Sequence, residues 1–489
     1  MFKEFAGNFL GNTPLWYKAT ILAFLAVNPL VFYFVGPFAA GWLLLTEFIL
    51  TLALALKCYP VPSGGLLAME AVIMGLASPQ GVYAEVSANL PTLLLLIFMV
   101  AGIYYLKDII FLLFTKIFIV IRKKSVLSLV FCVISASISA FLDALTLMAV
   151  IIAVCFNLFA IYHRVEGTLA EGGGEKARQA AAEMEEFRGF LRNMVMHGAV
   201  GTILGGTMTL VGEPHNMMIG SIMNWSFGDF FAHCSIISLP VAAAGFLLCP
   251  LLEIVRFPGF GYTLSDKAHR IITSDYEKKA RQMNSRNMYL YSVQCVAAVL
   301  LILALAFHVA EIGLIGLALI IVLTAFGGMT KEHDFAGAFS NAMPFVTLLV
   351  VFFAILAVVH EQRLVAPLVA WVFEFEGRAQ LLALFFVNGT LSFVSDNVFV
   401  ASVFINEVSG AYRDGLFALD WYEKLAVVVD MGTNIPAMAT PNGHAAFLFL
   451  LTSSLAPLLK LSYVRMVKLA LPYTIVTTAT GALAIYFFL

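Results

Sequence analysis

Long windows of this chain carry almost no charge, and this limits what it can fold into more than any other feature. Residues 92–106 (TLLLLIFMVAGIYYL) and 469–489 are two of them. Such windows match the hydrocarbon core of a bilayer, which takes roughly 20 apolar residues per helix. Of the 489 residues, 61% are hydrophobic and 12% charged. A soluble domain is nearer about half apolar and a quarter charged. One aqueous core could not bury so much apolar surface. The chain therefore reads as an all-α polytopic membrane protein.

Several function classes fall away. The formal net charge is −2, and no basic stripe with interleaved aromatics is present. No nucleic-acid partner is expected. The six cysteines, Cys58, Cys132, Cys155, Cys234, Cys249 and Cys295, form no CxxC pair. They read as scattered small apolar residues, so neither a transition metal nor any cofactor is expected. The N-terminus lacks an early apolar region followed by a small-residue cleavage site, so its first apolar run reads as a retained span.

Eleven full spans are predicted, near 19–36, 39–57, 62–78, 92–107, 193–223, 235–254, 288–308, 310–328, 343–360, 420–457 and 466–488. Two further stretches, 126–162 and 379–407, have polar residues at their middle and read as re-entrant hairpins. Such hairpins are tolerated only where protein or a cavity surrounds them. Segments 109–121 and 362–375 read as helices at the membrane interface. Basic residues gather at Arg122-Lys123-Lys124, in 164–192, in 256–286 and at Lys460, Arg465 and Lys468. Loop 79–90 has no Lys or Arg. With positive charge inside, the N-terminus is cytoplasmic and the C-terminus periplasmic.

The sequence also repeats. Gly75 and Gly328 lie 253 positions apart, as do Pro91 and Pro344, Ser139 and Ser392, and Asp143 and Asp396. Further on, Gly205 matches Gly432 and Pro214 matches Pro441 at an offset of 227. The change of offset is close to the length of the extra polar loop 164–192. Ordered matches of this kind indicate an internal repeat. Basic Arg122-Lys123-Lys124 falls opposite acidic Glu374-Phe375-Glu376, as inverted halves require. The predicted organisation is N-terminal spans 1–61, repeat 1 over 62–254, a cytoplasmic connection 255–287, and repeat 2 over 288–489. Inverted repeats with interrupted helices place a transport site near mid-membrane.

The candidate chemistry sits where the apolar runs are broken. One hairpin tip holds Ser139, Asp143 and Thr146; the other holds Ser392, Ser395, Asp396 and Asn397. A charge deep in a bilayer costs several kcal/mol and survives beside a cavity, a partner or a bound ion. A carboxylate at a hairpin tip can also cap a helix N-terminus, and both roles can hold at once. The partner segments are 205–216 and 432–443. There Gly and Pro break the helix and free backbone carbonyls. Thr207, Glu213, Asn216, Asn434, Thr440 and Asn442 add side-chain oxygens of the kind an alkali cation needs. Asp430 is a second-tier candidate, because the 227 offset places Ile203 opposite it. Glu47 and Glu70 read as structural. His197, His215 and His444 lie close to the breaks, as pH-sensing groups or as plain hydrogen-bonded side chains.

At these residues the sequence closely resembles the NhaB family of bacterial sodium–proton antiporters. The resemblance covers essentially the whole chain. It is carried by long segments in order, among them SAFLDALT, GEPHN, SDNVFV, TPNGHAAFLFLLTS and LSYVRMVKLALPYT. That family is similar to a wider ion-transporter superfamily with sodium-coupled dicarboxylate carriers. The resemblance implies a bacterial inner-membrane homodimer in lipid, with a fixed scaffold and a moving transport domain in each protomer. The dicarboxylate carriers tend to have Ser-Asn-Thr at the hairpin tips. Here an aspartate stands at each tip, which would repel a dicarboxylate and attract a cation.

The expected function is electrogenic export of Na⁺, and of Li⁺, in exchange for H⁺, by elevator-type alternating access. Burial favours a protonated carboxyl and a bound cation favours the ionised form. Protons and Na⁺ would thus compete at Asp143 and Asp396. The alternative is a Na⁺-coupled symporter of a small anion. An intramembrane aspartyl protease would also use two aspartates, but the chain has no GxGD, and no enzymatic activity is expected.

Overall fold

The computed structural model describes residues 4, 7–54, 57–142, 144–170, 175–281, 283–307, 309–393 and 397–489. All regular structure among them is helical. Five described helices are long and apolar enough to cross a membrane: Leu15–Phe34, the Ala144–Val165 part of Ala144–Ala170, Phe227–Val255, Ser285–Ala306 and Tyr463–Phe488. Two bent pairs could raise this to seven, and the pair Val346–Glu361 and Ala366–Phe373 is bent by 66°.

The eleven spans expected from sequence are thus not all single long helices. Pro37–Ala53, Pro60–Met74 and Ile312–Gly327 are apolar but have only 17, 15 and 16 residues. The expected spans 193–223 and 420–457 are each interrupted. The first comprises the end of Glu175–Gly206 and a separate helix Pro214–Met223. The second comprises Leu419–Asn434, a short 3₁₀ turn Pro436–Ala439 and Ala445–Thr452. Much of the polar segment 164–192, expected as a cytoplasmic loop with partial helix, extends the flanking helices Ala144–Ala170 and Glu175–Gly206. Loop 79–90 also carries a helix, Pro79–Ala88, because Ser78 accepts from the Gly81 N–H and Pro79 starts it.

Local chemistry explains where the helices begin and end. Proline at the first helical turn lacks an N–H that would have no partner there. It opens Pro37–Ala53, Pro60–Met74 and Pro214–Met223. Gly75 and Gly328, paired in the sequence at 253, each end a helix with left-handed φ of 78° and 70°. Ser226 and Asp229 form a reciprocal cap at the start of Phe227–Val255. In 126–162, helix Lys124–Ser139 is followed by Ala144–Ala170; in 379–407, Arg378–Ser392 is followed by Asn397–Arg413.

Close helix contact is made through small residues, as is usual in lipid, where packing rather than apolar burial joins helices. A Cβ on Gly316 would stand 2.6 Å from the Met99 amide nitrogen, and one on Gly102 would stand 3.0 Å from the Gly316 carbonyl. This crossing joins Ile312–Gly327 to Leu90–Tyr104. Replacing Gly316 by Val should destabilise the protein by about 1–3 kcal/mol through overpacking. Thermal unfolding in detergent checks this; an unchanged midpoint would contradict the crossing.

Candidate functional site

Two helix pairs frame the site. Lys124–Ser139, the first arm, runs beside Glu175–Gly206, and Arg378–Ser392, the second arm, runs beside Leu419–Asn434. Glycines bring the backbones together in both. A Cβ on Gly201 would collide with the Cys132 carbonyl, and one on Gly205 with the Ala136 carbonyl. In the other pair, a Cβ on Gly432 would lie 2.9 Å from the Phe385 carbonyl, and one on Gly389 would lie 2.6 Å from Pro436.

At the far end of each pair the helix breaks. Thr209 donates its hydroxyl to the Ala140 carbonyl (2.5 Å), at the end of the first arm. Thr440 donates to the Phe393 carbonyl (2.5 Å), at the end of the second. Ala140 and Phe393 each follow the last residue of their helix, so each threonine satisfies a carbonyl left over at a helix C-terminus. The Gly212 carbonyl accepts from the Ala144 N–H at 3.4 Å. With the Asn397 amide nitrogen turned inward, it donates to the Thr433 and Gly443 carbonyls at 3.2 and 2.5 Å. The helices that resume, Pro214–Met223 and Ala445–Thr452, have Glu213 and His444 at their N-caps. His444 Nε2 lies 3.3 Å from Glu213 Oε1, and both side chains are buried. The two breaks therefore meet at their caps.

A second contact ties them. Asn434 donates to Asn216 Oδ1 and to Asp430 Oδ1, both at 3.2 Å. Asn216 in turn donates to the Gly206 and Thr209 carbonyls at 2.8 Å, closing its own break. Asp430 is fully buried, with His215 Nε2 at 3.9 Å and Cys234 Sγ at 3.7 Å. The amide chain Asn216–Asn434–Asp430 thus crosses from one broken segment to the other.

Of the residues singled out in the sequence, Glu213, Asn216, Asn434 and Asp430 come together at this junction. Thr207 is buried close by, but its hydroxyl donates back to the Ile203 carbonyl (2.7 Å). Ser139 and Ser392 are the last residues of their arms, and each has a fully buried hydroxyl with no partner among the described residues. Thr146 and Asn442 line a cavity of about 780 Å³ between the two arms' neighbours and helices Leu90–Tyr104 and Glu332–Glu361. Asp143, Ser395 and Asp396 lie outside the described residues.

Sequence reasoning missed a second buried network. Glu253 Oε1 lies 2.6 Å from His197 Nε2 and 3.2 Å from Lys124 Nζ. Glu253 Oε2 accepts from the Gly261 N–H (2.8 Å), and His197 Nδ1 faces the Tyr473 hydroxyl at 2.8 Å. One carboxylate thereby joins the start of the first arm to helices Glu175–Gly206 and Phe227–Val255. The partners are far apart in sequence, so no spacing signalled them. Glu47 and Glu70 share one donor: both accept from the Asn28 amide, at 2.7 and 2.8 Å.

Interrupted helices meeting cap to cap, with buried acids and amides at the crossing, are the arrangement of many secondary membrane transporters. A family model described as bacterial Na⁺/H⁺ antiporter B (NhaB) matches residues 1–489. The chain is 50% identical to a Na⁺/H⁺ antiporter NhaB of Shewanella denitrificans, covering 98% of this chain and 92% of the relative. It is 49% identical to one of Pseudomonas putida KT2440, covering 99% and 98%. The chain belongs to the NhaB family of bacterial Na⁺/H⁺ antiporters, and is a transporter rather than an enzyme.

The Glu253 network yields a stability prediction. Removing one member of a buried ion pair leaves the other charge unpaired and costs about 3–5 kcal/mol. Glu253→Leu should therefore lower the unfolding midpoint strongly, and adding Lys124→Ala should restore part of the loss. Equal destabilisation by the single and double variants would show that Lys124 is not held by Glu253.

Proposed function

We propose that this chain exchanges cytoplasmic Na⁺, and also Li⁺, for periplasmic H⁺ in the inner membrane, with net movement of charge. Asp143 and Asp396 alternate between protonated and cation-bound forms. Ser139, Thr146, Ser395, Asn397, Glu213, Asn216, Asn434, Thr440 and Asn442, with Thr207, supply oxygens as the arms move. Asp430 stands behind them through Asn434. A cation and a proton that compete for one carboxylate are coupled without any covalent step.

The observation that carries this reading is the junction of the two broken segments, with the buried Ser139 and Ser392 hydroxyls at the ends of the arms. A buried hydroxyl without a partner is costly, and a cation passing the arm ends would use its lone pairs. The cavity bordered by Thr146 and Asn442 offers a route to them.

The two arms are read as re-entrant hairpins of two inverted repeats. The contacts support that reading and adjust its register. Gly201 packs on the Cys132 carbonyl as Gly432 packs on that of Phe385. Thr209 serves Ala140 as Thr440 serves Phe393. In both comparisons the arms differ by 253 positions and the broken segments by 231, four more than the 227 suggested by Gly205 and Pro214. At 231, the caps Glu213 and His444 become equivalent to each other.

The two repeats then move as an elevator against a scaffold that includes the N-terminal spans. The protein is a homodimer in the lipid bilayer, with a cytoplasmic N-terminus and a periplasmic C-terminus. Lys and Arg asymmetry supports that orientation.

The double variant Asp143→Asn, Asp396→Asn should abolish Na⁺-driven pH changes in everted vesicles, with normal membrane insertion. Wild-type exchange by that variant would sink the assignment of the two aspartates. A requirement for an organic anion in liposomes would instead favour symport.

A further inference from the structure

We infer that Asn388, to which no role attaches so far, is a ligand of the transported alkali cation in the second half of the protein. The inference rests on the exchange reading above. It names a residue that the repeat pattern did not point to, since Ser135 and not an amide stands 253 positions earlier.

Asn388 lies on the inner face of Arg378–Ser392 and is fully buried. Among the described residues, neither its amide oxygen nor its amide nitrogen has a hydrogen-bond partner. Among the described residues no other side-chain amide has both its nitrogen and its oxygen buried and unpartnered. Buried polar groups are rarely left in that state, because each unmade bond costs about 1–3 kcal/mol. A structural asparagine would have been tied to its own helix, as Ser135 is: its hydroxyl donates to the Phe131 carbonyl at 2.7 Å. Asn388 is built into the core with its oxygen unused by any described residue.

Its surroundings supply further oxygens. Ser392 follows by one helical turn on the same face, with its own hydroxyl buried and without a partner among the described residues. Across the helix pair, the Asn388 Cβ stands 3.0 Å from where a Gly432 Cβ would be. The Gly432 carbonyl would ordinarily accept from the N–H four residues on, but that residue is Pro436, which has none. The same carbonyl lies 3.5 Å from a Cβ position on Gly389, so it borders the arm. A side-chain amide oxygen, a hydroxyl and a freed carbonyl are neutral, hard donors of the kind that Na⁺ and Li⁺ take and that bind a proton poorly. Asn434 does not belong to this set: two residues from Gly432, it points to the opposite side of its helix.

The first half lacks this arrangement. Ser135 is satisfied internally, and Gly201 is followed four residues later by Gly205, which has an N–H to give. The cation set is thus richer in the second half, and the two repeats are unequal in their hold on Na⁺.

The test uses the full-length protein in liposomes. The apparent Na⁺ KM and kcat are measured for Asn388→Ala, for Asn388→Val, which fills the space without an oxygen, and for Asn388→Ser, which keeps one. Loss of one polar ligand should raise KM by roughly tenfold in the first two, with kcat within about twofold, and Ser should recover part of the affinity. A second readout needs no transport: Na⁺, against choline at equal ionic strength, should raise the unfolding midpoint of the wild type more than that of Asn388→Val. Wild-type KM and full Na⁺ stabilisation in both variants overturn the inference and leave Asn388 as a residue that holds water. If Asp143→Asn, Asp396→Asn is inactive while Asn388 variants keep wild-type KM, only this inference fails. If the aspartate variant is active, the broader reading fails.

Discussion

Everything at the centre of this molecule follows from the need to satisfy backbone groups where helices break inside an apolar region. Lipid and packed core offer no water to an orphan carbonyl. Thr209 and Thr440 answer that need at the two arm ends, on Ala140 and Phe393. Asn216 does so for the Gly206 and Thr209 carbonyls. The glycines at 201, 205, 389 and 432 let the backbones approach so that these bonds can form. Once the breaks are held in this way, their caps Glu213 and His444 are brought face to face.

Some of this was legible in the sequence because it depends on local chemistry. Gly and Pro inside apolar runs located both breaks, and polar residues inside 126–162 and 379–407 located both arms. Glu213, Asn216 and Asn434 were named from their place beside the breaks, and they do meet. The register was harder to read. Pro214 and Pro441 look equivalent as letters, yet Pro214 opens a helix while Pro441 precedes one by four residues. Matching proline to proline gives 227, whereas the corresponding glycine and threonine contacts lie 231 positions apart.

Other features depend on tertiary contact and left no local signal. Glu253, Lys124, His197 and Tyr473 come from four helices, and no spacing relates them. Asn388 is one amide in an apolar stretch; what sets it apart is that its buried amide has no partner among the described residues. The bounds of the apolar runs differ from those of the described helices for a related reason. Hydropathy marks apolar runs, but Pro37–Ala53 and Pro60–Met74 stop where a cap or a left-handed glycine ends them.

The central claim is that Na⁺ and H⁺ take turns at the same carboxylates. Apparent Na⁺ affinity measured against pH in proteoliposomes addresses this directly. Competition predicts that the Na⁺ KM rises about tenfold per pH unit on the acid side, with a constant maximal rate. A KM independent of pH, with the rate alone changing, would mean that the two ions use separate groups and would contradict the account.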